Sequence, residues 1–205
     1  MKRNRVIFYD CGHGGEDPIT KEYVTAPDKM FKHKDFTFYE GVKNRIVGKA
    51  AIAEMTKRGI TVVPVSHEWE DTPLWKRVYI ANQYDRYIQE GIYMSEHSDA
   101  FRTNKAKGFA IWTSPGQTQS DVIADMGYKM YQHRFSKEVI RKQLSDGDPD
   151  YEARFKVLVD TNMPAILFEN LYFTNEEDVK KLMDPIYIKE YAKFQADLAE
   201  WAITQ

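Results

Sequence analysis

The stretch Val6-Ile7-Phe8-Tyr9-Asp10-Cys11-Gly12-His13-Gly14-Gly15 decides how the rest of this 205-residue chain is read. Four β-branched or aromatic residues in a row predict a buried strand, and the glycine-rich run after them predicts an abrupt exit from it. Outward from there, short apolar runs alternate with longer helical ones. A helix is expected over 39–58, with Val42, Ile46, Ala50, Ala53 and Met55 as its apolar face and Arg58-Gly59 as its stop. Ile60-Thr61-Val62-Val63 reads as a strand ended by Pro64. Asp71-Thr72-Pro73 opens a second helix from Leu74 to Gln89, with Leu74, Val78, Ala81 and Tyr84 at helical spacing. Further strands are expected at 92–95, 109–112, 157–159 and 165–168. A helix is expected over 119–141, a polar loop over 145–150, a short helix after Asn175 and a long one from Ile186 to Ile203. This alternation predicts an α/β sandwich formed as one domain over 1–205. Its sheet should be twisted, mostly parallel and of about six strands, with helices on both faces.

Composition narrows the function. The 29 Lys and Arg against 31 Asp and Glu leave a formal charge of −2, which argues against nucleic acid, since phosphate neutralisation needs a basic excess. Cys11 is the only cysteine, so neither an internal disulfide nor a thiolate-rich metal site is expected. Apolar runs fall far short of the ~20 residues that span a bilayer. The run after the basic Met1 to Arg5 ends at Asp10, too short for the roughly 7–15 apolar residues of a signal peptide. The expectation is a monomer made in the cytoplasm without a signal and without membrane insertion.

Ligands of open α/β sheets bind beyond the carboxyl ends of the strands. His13 follows the first expected strand, His97 the third, and Glu169 ends the sixth, while Glu40 stands at the start of the first long helix. Two imidazoles and a carboxylate form a ligand set of catalytic zinc, and a further carboxylate can serve as general base. Each residue has a plainer reading as well: a solvated turn for His13, a helix-start charge for Glu40, a capped turn for His97. Glu169 is harder to set aside, because a carboxylate straight after Ile166-Leu167-Phe168 needs a partner or a raised pKa. His33, His67 and His133 read as surface residues, and Cys11 as packing. The glycine run lacks the phosphate-binding patterns, and no serine sits in a G-x-S-x-G elbow. The connection over 11–38 is long enough to be functional; its 17–38 portion, with 143–151, is a candidate rim loop.

Five segments in order resemble the zinc-dependent N-acetylmuramoyl-L-alanine amidases of the type-3 class. Asp10-Cys11-Gly12-His13-Gly14-Gly15-Glu16-Asp17-Pro18 is similar to the opening D-P-G-H-G-G-x-D-P. Glu40 with Asn44 resembles the second ligand segment, and Leu74, Arg77, Ala81 and Asn82 the L-x-x-R-x-x-x-A-N helix. Ser95 to Ala100 resembles S-x-H-x-[ND]-A. Pro164 to Asn170, then Phe173-Thr174-Asn175 and Glu177, resembles the closing P-x-[IV]-L-x-E…F-x-[ST]-N-x-x-[DE]. The resemblance implies that His13, Glu40 and His97 bind Zn²⁺ and that Glu169 is the general base. The substrate it implies is peptidoglycan, cut between the lactyl group of muramyl peptides and L-alanine. Arg77 is then a site-facing cation, either supporting a site carboxylate or meeting the peptide stem, with a plain helix-surface arginine as its alternative. A wall substrate for a chain without a signal implies release at phage lysis, as for an endolysin, or export with a leader since removed. Competing readings are a related zinc peptidase and a wall-binding module without turnover. Three departures stand out: Cys11 for a proline, Glu96 placing a charge beside a ligand, and Leu171 for a glycine two residues after Glu169.

Overall fold

All six residues of β1 (Val6–Cys11) are buried, as a strand covered on both faces requires. The computed structural model describes residues 5–88, 91–145 and 147–205. After β1 come a small hairpin of β2 (Met30–Lys32) and β3 (Thr37–Tyr39), then α1 (Glu40–Lys57), β4 (Thr61–Pro64), α2 (Leu74–Ile88) and β5 (Gly91–Asp99). The second half holds β6 (Ala110–Thr113), α3 (Gln119–Arg134), β7 (Tyr151–Glu152), α4 (Lys156–Val159), β8 (Ala165–Tyr172), α5 (Glu176–Leu182) and α6 (Pro185–Ala202). The main sheet has six strands in the order β4-β1-β5-β8-β6-β7. The first four are mutually parallel, β6 is antiparallel to β8, and β7 is parallel to β6. The α/β sandwich is therefore as expected. Met1 to Asn4, the expected helix end at Gln89 and Asp146 of the polar loop lie outside the described residues.

Strand periodicity sorts the core. Ile7, Tyr9, Ile92, Met94, Ile166 and Phe168 face a core shared with α1, α3, α5 and α6. Val6, Phe8, Tyr93, Ala165 and Leu167 face the other, shared with Val78 and Ala81 of α2 and with Val157 and Leu158 of α4. Successive side chains on opposite faces are what a two-residue repeat dictates.

Several elements differ from the sequence reading. Residues 157–159 form no strand but the one-turn α4. Val157 and Leu158 are both buried in one core, which neighbours on a strand cannot do. The Lys156–Asp160 ion pair and the bond from Thr161 Oγ1 to the Val157 carbonyl close that turn. The sixth strand is instead β7, two residues long. Helix α3 stops at Arg134 because Phe135 turns inward against Tyr131 and Tyr187. Beyond it, Val139 and Arg141 run beside Phe109, exchanging backbone bonds of 2.9 and 2.8 Å. On α1 the buried face carries Val47, Ala51 and Met55, while Ile46 is exposed. Close backbone approach chose that face: a Cβ on Gly41 would lie 1.8 Å from the Gly14 carbonyl oxygen.

Two departures noted in the sequence find their explanation here. Glu96 does not stand beside the ligand; it points to the opposite face, where Asn170, Tyr191 and Gln195 donate to it at 3.3, 3.2 and 2.6 Å. Burial, which outweighs those bonds, pushes its carboxyl up to about 8. Leu171 sits at φ +64°, within a bulge that gives β8 one more residue than β5 between the Glu169–His97 and Tyr172–Asp99 pairs. A glycine would adopt that conformation freely, but Leu171 is fully buried in the larger core. Left-handed strain costs roughly 1–2 kcal/mol. Truncating a buried leucine costs about 2–5 kcal/mol. Packing wins, so Leu171→Gly should lower stability by about 1–3 kcal/mol in urea titrations. A gain in stability would mean the strain outweighs the packing.

Candidate metal centre

The site is assembled from the outgoing ends of β1 and β5 and the first residue of α1. After Cys11 the chain leaves the sheet, and His13 takes φ +61°, which turns its ring back over the strand ends. A Cβ on Gly12 would lie 2.2 Å from the His97 ring, so only glycine lets the loop pass so close. His97 lies inside β5 rather than after it, because the strand runs four residues beyond the expected Ser95. Glu40, 2% exposed, opens α1 at the end of the dipole that favours a carboxylate.

His13 Nε2 lies 3.2 Å and His97 Nδ1 3.1 Å from the same oxygen, Oε1 of Glu40. The two rings meet edge-on with centroids 4.8 Å apart. Burial alone would raise the Glu40 carboxyl, but the two histidines overcome it and hold the group at about 2. Burial lowers the His97 pKa, favouring the neutral ring that ligates metals. One donor atom from each residue falls within 4.8 Å of the others. Ligands of tetrahedral zinc at 2.0–2.2 Å stand about 3.3–3.5 Å apart, so separations of 3.1 and 3.2 Å suit that ion with little movement. The donor set and its geometry fit the metal.

Glu169 joins through the sheet. It is paired in register with His97 on the neighbouring strand, so both side chains project from one face. Below them that face is covered by α2 and α4. Glu169 Oε2 is buried without a hydrogen-bond partner. Burial first, then the carboxylates of Asp99 and Glu40, push the Glu169 pKa well above the ordinary range, against smaller opposing effects of Arg141 and Lys29. Glu169 is thus the protonatable group beside the cluster.

Arg77 is placed differently from a substrate-facing cation. It is 1% exposed and bonds Asp10 Oδ1 at 2.6 Å, the Cys11 carbonyl at 2.9 Å, the Thr72 carbonyl at 2.7 Å and Asp71 at 3.1 Å. The other Asp10 oxygen accepts from Tyr93 and Ser95 at 2.9 and 3.0 Å. Arg77 therefore grips the strand end from which the His13 loop departs; it bonds neither Glu40 nor Glu169, and it is buried rather than on the helix surface. Sequence reasoning missed Arg45, a buried arginine that bonds the carbonyls of Gly41, His67 and Glu70 and so pins the loop after β4 against α1. It also missed Arg141, hidden by the overlong helix, which pairs with Asp99 at 3.0 Å and donates to Tyr172 at 2.7 Å. His33 is half-buried rather than on the surface, donating to the Phe173 carbonyl at 2.9 Å and so docking the β2–β3 hairpin beside the site. His67 and His133 are exposed, and Cys11 is buried as packing. Of the two expected rim loops, 17–38 carries that hairpin. The other turns away: β6 is antiparallel to β8, so residues 148–150 beside its Thr113 end lie toward the far end of the sheet.

Fold and donor set together define a class, an α/β protein with a His-His-Glu candidate metal-binding group at the carboxyl edge of a mostly parallel sheet. The family is more particular. Residues 7–198 match the Amidase_3 model, described as N-acetylmuramoyl-L-alanine amidase, and the chain belongs to that family. The "Probable cell wall amidase LytH" of Staphylococcus saprophyticus is 24% identical over 188 residues, covering 90% of this chain and 54% of that protein. The "Endolysin" of Bacillus phage SPP1 is 25% identical over 196 residues, covering 95% of this chain and 64% of that one. The chain thus spans a little over half to under two thirds of the length of these relatives. The crystal structure of N-acetylmuramoyl-L-alanine amidase from Clostridium difficile 630 shares the fold, with a TM-score of 0.79 at 24% identity over 97% of this chain and 96% of that one.

Removing one partner of a buried ion pair typically costs about 3–5 kcal/mol, whereas an exposed pair is worth below about 1 kcal/mol. Arg77→Ala should therefore destabilise the chain by about 3–5 kcal/mol in denaturant titrations, and Asp71→Asn, whose carboxylate is 44% exposed, by less than about 1 kcal/mol. Equal losses in the two variants would show that Asp10 is not the partner that matters.

Proposed function

We propose that this chain is a zinc-dependent amidase that hydrolyses the bond between the lactyl group of N-acetylmuramic acid and L-alanine of the peptidoglycan stem. The carrying observation is the convergence of His13, Glu40 and His97 next to a buried Glu169 oxygen with no partner of its own. Family membership supplies the substrate class, and the names of the relatives, a cell wall amidase and an endolysin, agree with a wall substrate.

In this reading His13, Glu40 and His97 hold Zn²⁺. When bound, the ion would supply Lewis acidity and make a nearby water more acidic than bulk water. Glu169 does the proton work. Its partnerless Oε2 accepts a proton from the attacking water as the new C–O bond forms at the lactyl carbonyl. The same oxygen returns that proton to the L-alanine nitrogen as the C–N bond breaks, so one residue acts as base and then as acid. Burial raises the proton affinity of Glu169 above that of an exposed glutamate, which suits it to hold the proton between the two steps. Arg77 and Asp10 act through position, by fixing the strand end that carries the His13 loop. Arg141, tied to Asp99 and Tyr172, holds Asp99 close to Glu169.

Glu169→Gln keeps the size of the side chain and removes its proton affinity. The variant should bind one zinc per chain and melt like the parent, yet lose at least about 10²-fold in rate. Retained turnover would end the general-base assignment. Zinc content measured by atomic emission should fall in His13→Ala and in His97→Ala. Mass spectrometry of digested peptidoglycan separates this reading from a peptidase, because only the amidase frees both a lactyl carboxylate and an L-alanine amine.

A further inference from the structure

A second cluster of carboxylates lies away from the site already described. Asp121 stands in the first turn of α3, and Asp148 and Asp150 in the loop before β7. One oxygen from each falls within 4.8 Å of the others. The three share a pattern of bonding. In each, Oδ2 is held by a donor: the Thr118 backbone N–H for Asp121, Gln117 Nε2 at 2.8 Å for Asp148, and Thr113 Oγ1 at 2.5 Å for Asp150. In each, Oδ1 is buried and has no hydrogen-bond partner. Asp150 is 1% and Asp121 6% exposed. Among the described residues no lysine or arginine forms an ion pair with any of the three. Buried acceptors with neither a donor nor a cation are costly, and three together on one small region call for a shared positive charge. Burial and the adjoining Asp148 and Asp121 carboxylates push Asp150 up to about 7, which is the same strain read as proton affinity.

We propose that Asp121, Asp148 and Asp150 form a calcium-type divalent-cation site, separate from the histidine cluster. An all-oxygen donor set suits a hard cation and offers nothing to select zinc. Calcium is preferred to magnesium because it takes six to eight oxygen ligands in flexible geometry, whereas magnesium demands a near-ideal octahedron and usually keeps several of its waters. Bound there, the ion ties three elements together: the start of α3 through Asp121, the loop through Asp148, and the end of β6 through Asp150 and Thr113. Its role is structural, since the Thr113 end of β6 lies toward the far end of β8 from Glu169.

The test uses the whole chain loaded with one equivalent of zinc. Calcium titration should add one ion per chain and raise the melting temperature to a plateau. Tb³⁺ should bind in its place and luminesce on excitation of Trp201, which lines the same cavity of about 200 Å³ as Asp121 and Asp148. Asp148→Asn, on the least buried of the three, should weaken calcium and terbium binding at least tenfold. In calcium-free buffer that variant should melt at or above the parent, because one of three repelling charges is gone. Absence of a calcium-dependent shift up to millimolar concentration would overturn the proposal and leave a proton shared between Asp148 and Asp150 as the way the cluster is neutralised. Unchanged terbium binding in Asp148→Asn would overturn it equally.

Discussion

The ion pair between Arg77 and Asp10 is the contact on which the site's construction rests. Each partner is 1% exposed, and together they join the first turn of α2 to the last residues of β1. Every acceptor and donor around them is used: Tyr93 and Ser95 of β5 complete Asp10, while the Cys11 and Thr72 carbonyls complete Arg77. Such a pair contributes little net stability compared with a well-packed apolar alternative, but it is intolerant of displacement. Its value is geometric. It locks β1, β5 and α2 together one turn of loop before His13, so the imidazole is delivered from a rigid origin although its own backbone is in the left-handed region.

From that origin the period of the sheet does the sorting. On β5, Tyr93, Ser95 and His97 share a face; on β8, Ala165, Leu167 and Glu169 share the same one. Lower down this face is apolar and covered by helices, and at the strand ends it becomes polar. The residues between, Glu96 and Asn170, face the opposite core and meet Gln195, Tyr191 and Tyr187 of α6. Two acidic residues on neighbouring strands thus have separate environments. Glu169 keeps a buried, unbonded oxygen at the strand ends, and Glu96 is bonded on both oxygens within the core. A one-residue slip of β8 against β5 would turn Glu169 into the core beside Glu96 and destroy both the site and the core.

Burial without compensation marks the places where this chain is prepared for something it does not itself supply. Most buried polar groups here are satisfied, as in the networks around Asp10, Glu96 and Arg45. The exceptions include Glu169 Oε2 and one oxygen on each of Asp121, Asp148 and Asp150. The first stands beside the histidines and is the proton-transfer group of the proposed reaction; the others gather negative charge at the far end of the sheet. Both follow from one rule: a buried carboxylate must find a donor, a cation or a proton.

The sequence by itself determined the α/β class and five of the six sheet strands, and it singled out His13, Glu40 and His97, which the structure brings together, and Glu169, which it pairs in register with His97. It could do so because strand periodicity, glycine turns and polar residues at strand ends are local signals. It misjudged 157–159, where a three-residue apolar run carries no period, and the length of α3, which ends on an aromatic turned inward rather than on glycine or proline. The face of α1 was likewise beyond it, since the approach of Gly41 to the Gly14 backbone, not the placing of large apolar residues, decides which side is buried. Only the tertiary structure could give Arg77 its partner 67 residues away, turn Glu96 from the ligand's neighbour into a core residue, and show that Leu171 accepts a strained backbone in exchange for packing. Those outcomes depend on what lies across the sheet, and contacts of that range have no trace in local spacing.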